Sequence, residues 1–266
     1  TDGFGDGSDV KPDDHLIGGI GLDALYGGAG NDILDGGDGA VGDDAYYAYD
    51  PYRVVVNLSD SVETISGLDV ASGTAVDGWG YTDTLINITQ VHATDFDDII
   101  IGGANEETVE TQAGDDYFDG GAGLDGVNFY NSTDGVTGDL GIQGGASQFI
   151  SESQGYDTYI SVERIYASLH DDILTGNDEN NMIVGRAGDD VITGGVGGDW
   201  LTGDDTDQSG SDTFRYVSVD DSNMVNRDTI TDFDAANDTI FLDTMGVGTF
   251  SFIGAGVFSG SGATEA

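Results

Sequence analysis

Gly18-Gly19-Ile20-Gly21-Leu22-Asp23-Ala24-Leu25-Tyr26 is followed without a break by Gly27-Gly28-Ala29-Gly30-Asn31-Asp32-Ile33-Leu34-Asp35, so residues nine apart match in type. Both stretches fit G-G-x-G-x-D-x-U-x with U a large apolar residue, which is the signature of a stacked β-helical repeat. A third copy opens at Gly36-Gly37-Asp38-Gly39 and, after a short insertion, reaches Asp44-Ala45-Tyr46; a degenerate copy, Asp14-His15-Leu16, precedes the set. A second block steps by nine through Asp98, Glu107, Asp116 and Asp125. A third steps by nine through Asp172, Asn181, Asp190 and Asp199, then reaches Asp212 after four extra residues.

The glycine half of each repeat must turn with positive φ at some positions, and the x-U-x half is short and extended. Two repeats then make one flattened coil. Stacked coils bring Leu25, Leu34, Ile100, Phe118, Leu174, Ile192 and Leu201 into a thin core and line the Asp side chains and turn carbonyls along the edges. Between blocks, residues 52–58 and 156–165 are richer in β-branched and aromatic residues and are predicted to be strands. Asp83-Thr84-Leu85-Ile86 and Asp157-Thr158-Tyr159-Ile160 lie 74 residues apart, the same offset as Asp98 and Asp172. The larger unit is therefore a strand insert followed by a nonapeptide run. Helical periodicity is weak throughout, and dense Gly disfavours helix by about 1 kcal/mol per residue relative to Ala.

The expectation is an all-β fold, a parallel β-roll or β-helix-like solenoid with strand inserts and a C-terminal β cap. The segments are a first repeat block at 1–47, an insert at 48–92, a second block at 93–128, an insert at 129–166, a third block at 167–217 and a C-terminal region at 218–266.

Composition limits function. The chain of 266 residues has 45 Gly, 43 Asp and 8 Glu against 6 Lys and Arg, a net charge of −45. Nucleic acid and anionic membranes both need basic surface, and no segment provides it. An apolar content of 38% with only 2 Pro argues for a folded chain rather than an acidic tail. Cysteine is absent, which removes disulfides, thiolate metal sites and a Cys nucleophile. The longest apolar runs, such as 54–56 and 99–101, fall far short of the ~18 residues that span a bilayer. The sequence starts at Thr1 with no Met and no basic or apolar leader, as expected of a processed product or a fragment. Neighbouring carboxylates ~4–6 Å apart repel by roughly a kcal/mol or several at intermediate dielectric, repeated at every turn. A Ca²⁺ ion, with six to eight oxygen ligands and tolerant geometry, turns that repulsion into cross-linking, whereas Mg²⁺ demands a tighter octahedron.

Other chemistry has little support. Acidic pairs such as Asp97-Asp98, Asp115-Asp116, Asp171-Asp172 and Asp189-Asp190 recur at fixed period, whereas a catalytic pair is a single constellation. No H-E-x-x-H or G-x-S-x-G motif is present, and His15, His92 and His170 are the only histidines. No Lys follows the glycine-rich turns, which excludes a phosphate loop. Asp205-Thr206-Asp207-Gln208-Ser209-Gly210 opens like an EF-hand loop, yet its twelfth position is Tyr216. Trp200 is expected to face outward beside Leu201, and Trp79 lies in a Gly-rich insert.

The repeats at 18–46, 98–127 and 172–214 resemble the repeats-in-toxin (RTX) calcium-binding family, parallel β-rolls of proteins exported by bacterial type I secretion. The resemblance implies Ca²⁺ ions held between each turn and the turn one coil further on. By position it pairs Asp14 with Asp32, Asp23 with Asp44, Asp98 with Asp116, Glu107 with Asp125, Asp172 with Asp190, Asn181 with Asp199, and Asp190 with Asp212. It implies turn backbone from Gly19, Gly21, Gly28, Gly30, Gly37, Gly39, Gly103, Gly114, Gly121, Gly123, Gly188, Gly195 and Gly197. Glu107 and Asn181 depart from the family's Asp, and the first Gly is missing near Pro12, Thr94 and Leu169. Asp228-Thr229-Ile230-Thr231-Asp232-Phe233, the stretch 237–242 and Phe252-Ile253-Gly254-Ala255-Gly256-Val257-Phe258-Ser259-Gly260 are similar to the region after the repeats in serralysin-type proteases. In that family the region runs further than Ala266, so the natural chain is expected to continue.

The resulting expectation is a non-catalytic, extracellular or cell-surface bacterial module that folds on Ca²⁺ after secretion, with calcium and the type I apparatus as partners. Two alternatives stay open: the C-terminal part of a secreted protease, lipase or polysaccharide-modifying enzyme, and a Ca²⁺-stiffened adhesin or surface-layer rod. Self-assembly and contact with a cell surface or polysaccharide belong to the last.

Overall fold

The computed structural model describes residues 12–38, 42–65, 67–142, 144–205, 210–223 and 225–243. Gly39, most of the EF-hand-like loop and the stretch 252–260 lie outside them. Short x-U-x stretches flanked by Gly turns form strands of two to four residues, and the described residues contain no helix. One face is a nine-stranded parallel sheet running from Ala24–Leu25 through Asp44–Tyr46, Gln90–His92, Thr108–Glu110, Gly126–Asn128, Arg164–Tyr166, Met182–Val184 and Trp200–Thr202 to Thr229–Ile230. The opposite face is divided. A nine-stranded sheet covers it from His15–Ile17 to Gln148–Ser151, and a separate five-stranded sheet from Thr137–Asp139 to Thr239–Leu242 covers the rest.

The register is one coil per step. Ile99 to Ile101 pair with Tyr117 to Asp119, and Ile173 to Thr175 pair with Val191 to Thr193, each eighteen residues on. Every U residue therefore stacks on its equivalent, and Leu34, Ile100, Phe118, Leu174, Ile192 and Leu201 are buried in one continuous apolar core. The fold is the parallel β-roll solenoid expected from the repeat. Trp200 is exposed.

The inserts are woven into the same sheets. Thr82–Ile86 stacks in parallel on Ile33–Asp35, and the strand Thr74–Val76 is wedged between it and Val55–Asn57 with antiparallel pairing on both sides. A second antiparallel pair joins Gln148–Ser151 to Gly155–Ile160, and a third forms the small ribbon Glu63–Ile65 with Leu68–Val70. At the break in the divided face, the buried Gln148 stands in for a strand backbone. The Asp139 N–H donates to its Oε1 at 2.8 Å, and its Nε2 donates to the Asp139 carbonyl at 3.0 Å. Beyond the third block, Thr229–Ile230 and Thr239–Leu242 prolong both faces by a further coil.

Candidate metal centre

Six repeat carboxylates perform one structural task with a single oxygen. The Asp98 N–H donates to Asp116 Oδ1 at 2.7 Å, the Asp172 N–H to Asp190 Oδ1 at 2.8 Å, and the Asn181 N–H to Asp199 Oδ1 at 2.9 Å. The same bond joins Asp14 to Asp32, Glu107 to Asp125 and Asp190 to Asp212. Charge-assisted bonds of this kind tie coil to coil along the edge.

The second oxygen has no such use. Oδ2 of Asp23, Asp32, Asp116, Asp125, Asp190, Asp199 and Asp212, and Oε1 of Glu107, are buried with no hydrogen-bond donor among the described residues. An unmet buried carboxylate oxygen is costly unless something positive reaches it. The first glycine of each turn leaves the room. A Cβ on Gly18 would lie 2.8 Å from both Asp23 Oδ2 and the Gly36 carbonyl oxygen of the next coil. At Gly185 the same point is shared by Asp190 Oδ2 and the Gly203 carbonyl, and at Gly120 by Asp125 Oδ2 and the Ser161 carbonyl. A free carboxylate oxygen and a carbonyl of the next coil thus crowd the backbone of the first glycine, where no side chain fits, and this donor set made only of oxygen suits Ca²⁺. The second glycine shapes the turn: Gly28 and Gly195 adopt φ of 80° and 91°. Where the second glycine is replaced, Gln112 and Arg186 still take φ of 63° and 77°.

Burial, aided by neighbouring acids, drives these carboxyls far above their ordinary range: Asp116 to about 10, Asp190 to about 8 and Asp212 to about 7. The edges are therefore poised to exchange protons for a cation.

Four sequence assignments change. The residue in line with Asp23 is Asp43, whose Oδ1 accepts the Asp23 N–H at 2.9 Å; the register sets Asp44 beside Ala24, inside the strand. The two-residue insertion before the Asp43-Asp44 pair conceals that shift. Asp44 instead forms an ion pair with His92, whose other ring nitrogen lies 2.6 Å from Glu110. Burial opposes the charge on His92, but its hydrogen bonds to Asp44 and Glu110 outweigh that and raise its pKa to about 10. Asp98 and Asp172 have no oxygen to spare. Thr94 gives Asp98 its N–H and hydroxyl, and Val54 its N–H. Ser168 and Val136 do the same for Asp172. Asn181 is a neutral amide whose oxygen accepts the Asn177 N–H.

Sequence spacing alone overlooked other members of the rows. Asp83, Asp157, Glu163, Asp228 and Asp238 accept the N–H of Asp32, Asp116, Asp125, Asp199 and Asp212, respectively. The repeated Asp-Thr-x-Ile at offset 74, read only as a larger unit, is the signal that could have found the first two. Near the end of the solenoid, Asp204, Asp212 and Asp232 bring one carboxylate oxygen each within 4.8 Å of one another. Asp232 belongs to the stretch after the repeats, so that segment closes the edge row with a third carboxylate.

The family model described as Peptidase M10 serralysin C terminal matches residues 14–265. No curated protein matches the chain.

Proposed function

Because the chain belongs to the family of serralysin-type M10 peptidase C-terminal regions, we propose that it is a non-catalytic calcium-binding module that folds when Ca²⁺ fills its turn edges after export. The observation that carries the reading is the row of buried carboxylate oxygens without donors, those of Asp23, Asp125 and Asp190 lying close to a carbonyl of the next coil. Bound there, Ca²⁺ supplies positive charge and flexible oxygen coordination between coils. Asp23, Asp32, Glu107, Asp116, Asp125, Asp190, Asp199 and Asp212 hold the ions with their free oxygens, while the other oxygens of Asp32, Asp116, Asp125, Asp190, Asp199 and Asp212 keep the coil register. Without a cation, the repulsion of a chain of net charge −45 opposes a thin core, and the chain stays extended at low cytosolic Ca²⁺. In this reading the type I apparatus passes the unfolded chain, and the coils assemble outside the bacterial cell.

The test is far-UV circular dichroism with tryptophan fluorescence across a titration from chelator to ~10 mM Ca²⁺, the range of extracellular calcium modules, with Mg²⁺ as control. A cooperative coil-to-β transition with Ca²⁺ alone is expected. A β spectrum that persists in chelator overturns the folding role and leaves a packing-stabilised rod. The family match also motivates a second reading, in which the module is the repeat region of a secreted peptidase. Proteolytic activity that co-purifies with the module from its natural source, on one polypeptide, tests it.

A further inference from the structure

The first insert contains a buried acidic pair outside every glycine-rich repeat. Asp50 follows the strand Asp44–Tyr46, and Asp77 opens the turn between Thr74–Val76 and Thr82–Ile86. Asp50 is 6% exposed and Asp77 2%. Each uses one oxygen on the turn backbone. The Gly78 N–H donates to Asp50 Oδ2 at 2.9 Å, and the N–H groups of Trp79 and Tyr81 donate to Asp77 Oδ1 at 3.0 and 2.6 Å. The other oxygens, Asp50 Oδ1 and Asp77 Oδ2, are buried and have no donor among the described residues. Because Gly78 is bonded to Asp50 and follows Asp77 in the chain, the two carboxylates flank the same stretch of backbone.

The surroundings add charge and another oxygen. Asp83 is wholly buried nearby, with its oxygens taken by the Tyr47 hydroxyl and the Asp32 N–H, so it contributes negative charge without a free ligand atom. The Tyr52 carbonyl sits where a Cβ on Gly78 would point. Among the described residues no Lys, Arg or His forms an ion pair with these acids. Burial, with repulsion from Asp77 and Asp83, pushes the Asp50 carboxyl up to about 8. Two orphaned oxygens on neighbouring acids with no cationic partner leave negative charge unmet when both are ionised, and a donor set of oxygen alone suits a hard divalent ion.

We propose that Asp50 and Asp77 bind a hard divalent cation, Ca²⁺ by its chemistry, at a site of the first insert distinct from the repeat turns. The site locks the wedged antiparallel hairpin onto the solenoid edge. It does not depend on whether the repeats bind calcium.

Tb³⁺, a luminescent stand-in for Ca²⁺, tests this in the full chain. Trp79 and Trp200 are the only tryptophans, so in a Trp200→Phe background tryptophan-selective excitation reports on Trp79, two residues from Asp77. Sensitised Tb³⁺ emission is expected there, competed by Ca²⁺ and lost on Asp50→Asn or Asp77→Asn. The remote repeat variant Asp190→Ala should keep it. Asp50→Asn is the safer variant for folding, since Asp50 accepts one backbone N–H and Asp77 accepts two. Native mass spectrometry should count one Ca²⁺ fewer in Asp50→Asn than in the parent. Unchanged emission and an unchanged ion count in Asp50→Asn overturn the proposal, as does absence of emission in the parent. Failure of the repeats to bind calcium would instead appear as an ion count insensitive to Asp190→Ala.

Discussion

Asp98 and Asp116 occupy equivalent places in successive coils, as do Asp172 and Asp190, yet each pair is satisfied differently. Asp98 and Asp172 open their blocks and are saturated by Thr94 and Ser168, whose hydroxyl and N–H groups cap them from four residues upstream. Asp116 and Asp190 have Gln112 and Arg186 in that place, whose side chains bond to Glu110 and the Ala167 carbonyl instead, and they keep one buried oxygen unmet. A hydroxyl at one turn position thus closes a coil edge within the protein, and its absence leaves a buried carboxylate oxygen without a donor. His92 is a third solution, in which an imidazolium between Asp44 and Glu110 is a cation the chain supplies for itself.

The sharpest break in this comparison is Asp116→Ala or Asp190→Ala. Each removes a charge-assisted inter-coil bond of about 1.5–3 kcal/mol as well as a proposed calcium ligand, so the Ca²⁺ midpoint of folding should rise well above that of the controls Asp69→Ala and Asp139→Ala, which lie outside the repeats. Equal midpoints in a dichroism titration would remove these residues from the sites. Asp172→Asn should fall between the two groups, since it loses structural bonds but no free oxygen.

Next in size is His92→Gln. The parent gains from the imidazolium fully below 6.5, the ordinary histidine value, and loses that gain as pH rises toward about 10. Urea unfolding in saturating Ca²⁺ should show the variant weaker by about 1–3 kcal/mol at pH 6, a partly exposed ion triad counting for less than a buried one. The difference should close above pH 10, and a gap independent of pH would mean that ring packing on Tyr46 matters more than charge.

The edge acids give a signal of the same sign, but smaller, in chelator. Their folded values, about 8 for Asp190 and about 7 for Asp212, lie above the unfolded 3.8, so the folded apo form binds more protons. Residual β structure in chelator should therefore grow as pH falls from about 8 toward 4, while the Ca²⁺ midpoint should rise at acid pH because each ion must displace protons. A midpoint insensitive to pH would contradict the burial of the free oxygens. The smallest effect belongs to Gly28→Ala, which forces a Cβ into a φ of 80° with open space around it and should cost about 1–2 kcal/mol in thermal unfolding.

The nine-residue step made the solenoid legible because a coil is two repeats and pairing follows at eighteen. The edge rows were legible only where that spacing holds. Where inserts stretch a coil, partners lie 51, 41 and 38 residues apart, as for Asp32 with Asp83, Asp116 with Asp157 and Asp125 with Glu163. The nine-residue period does not find those. The Asp43-Asp44 pair offered two registers, and only strand pairing separates them. Thr94 and Ser168 were readable in principle as hydroxyls four residues before an Asp, a local cap rather than a repeat feature. Asp50 and Asp77 have no pattern at all, since their proximity comes from a hairpin folding back on the edge.

Gln148 bridges the break in the divided face with two amide hydrogen bonds, while the opposite sheet continues unbroken past it. Under tension along the solenoid axis the two faces do not share load equally. One passes it through successive backbone ladders, and the other must pass it through a side chain at the seam. The seam is where a stretched molecule yields first, hinging open toward the divided face, and Gln148→Ala should lower the force of that first event in single-molecule pulling while leaving later ones unchanged.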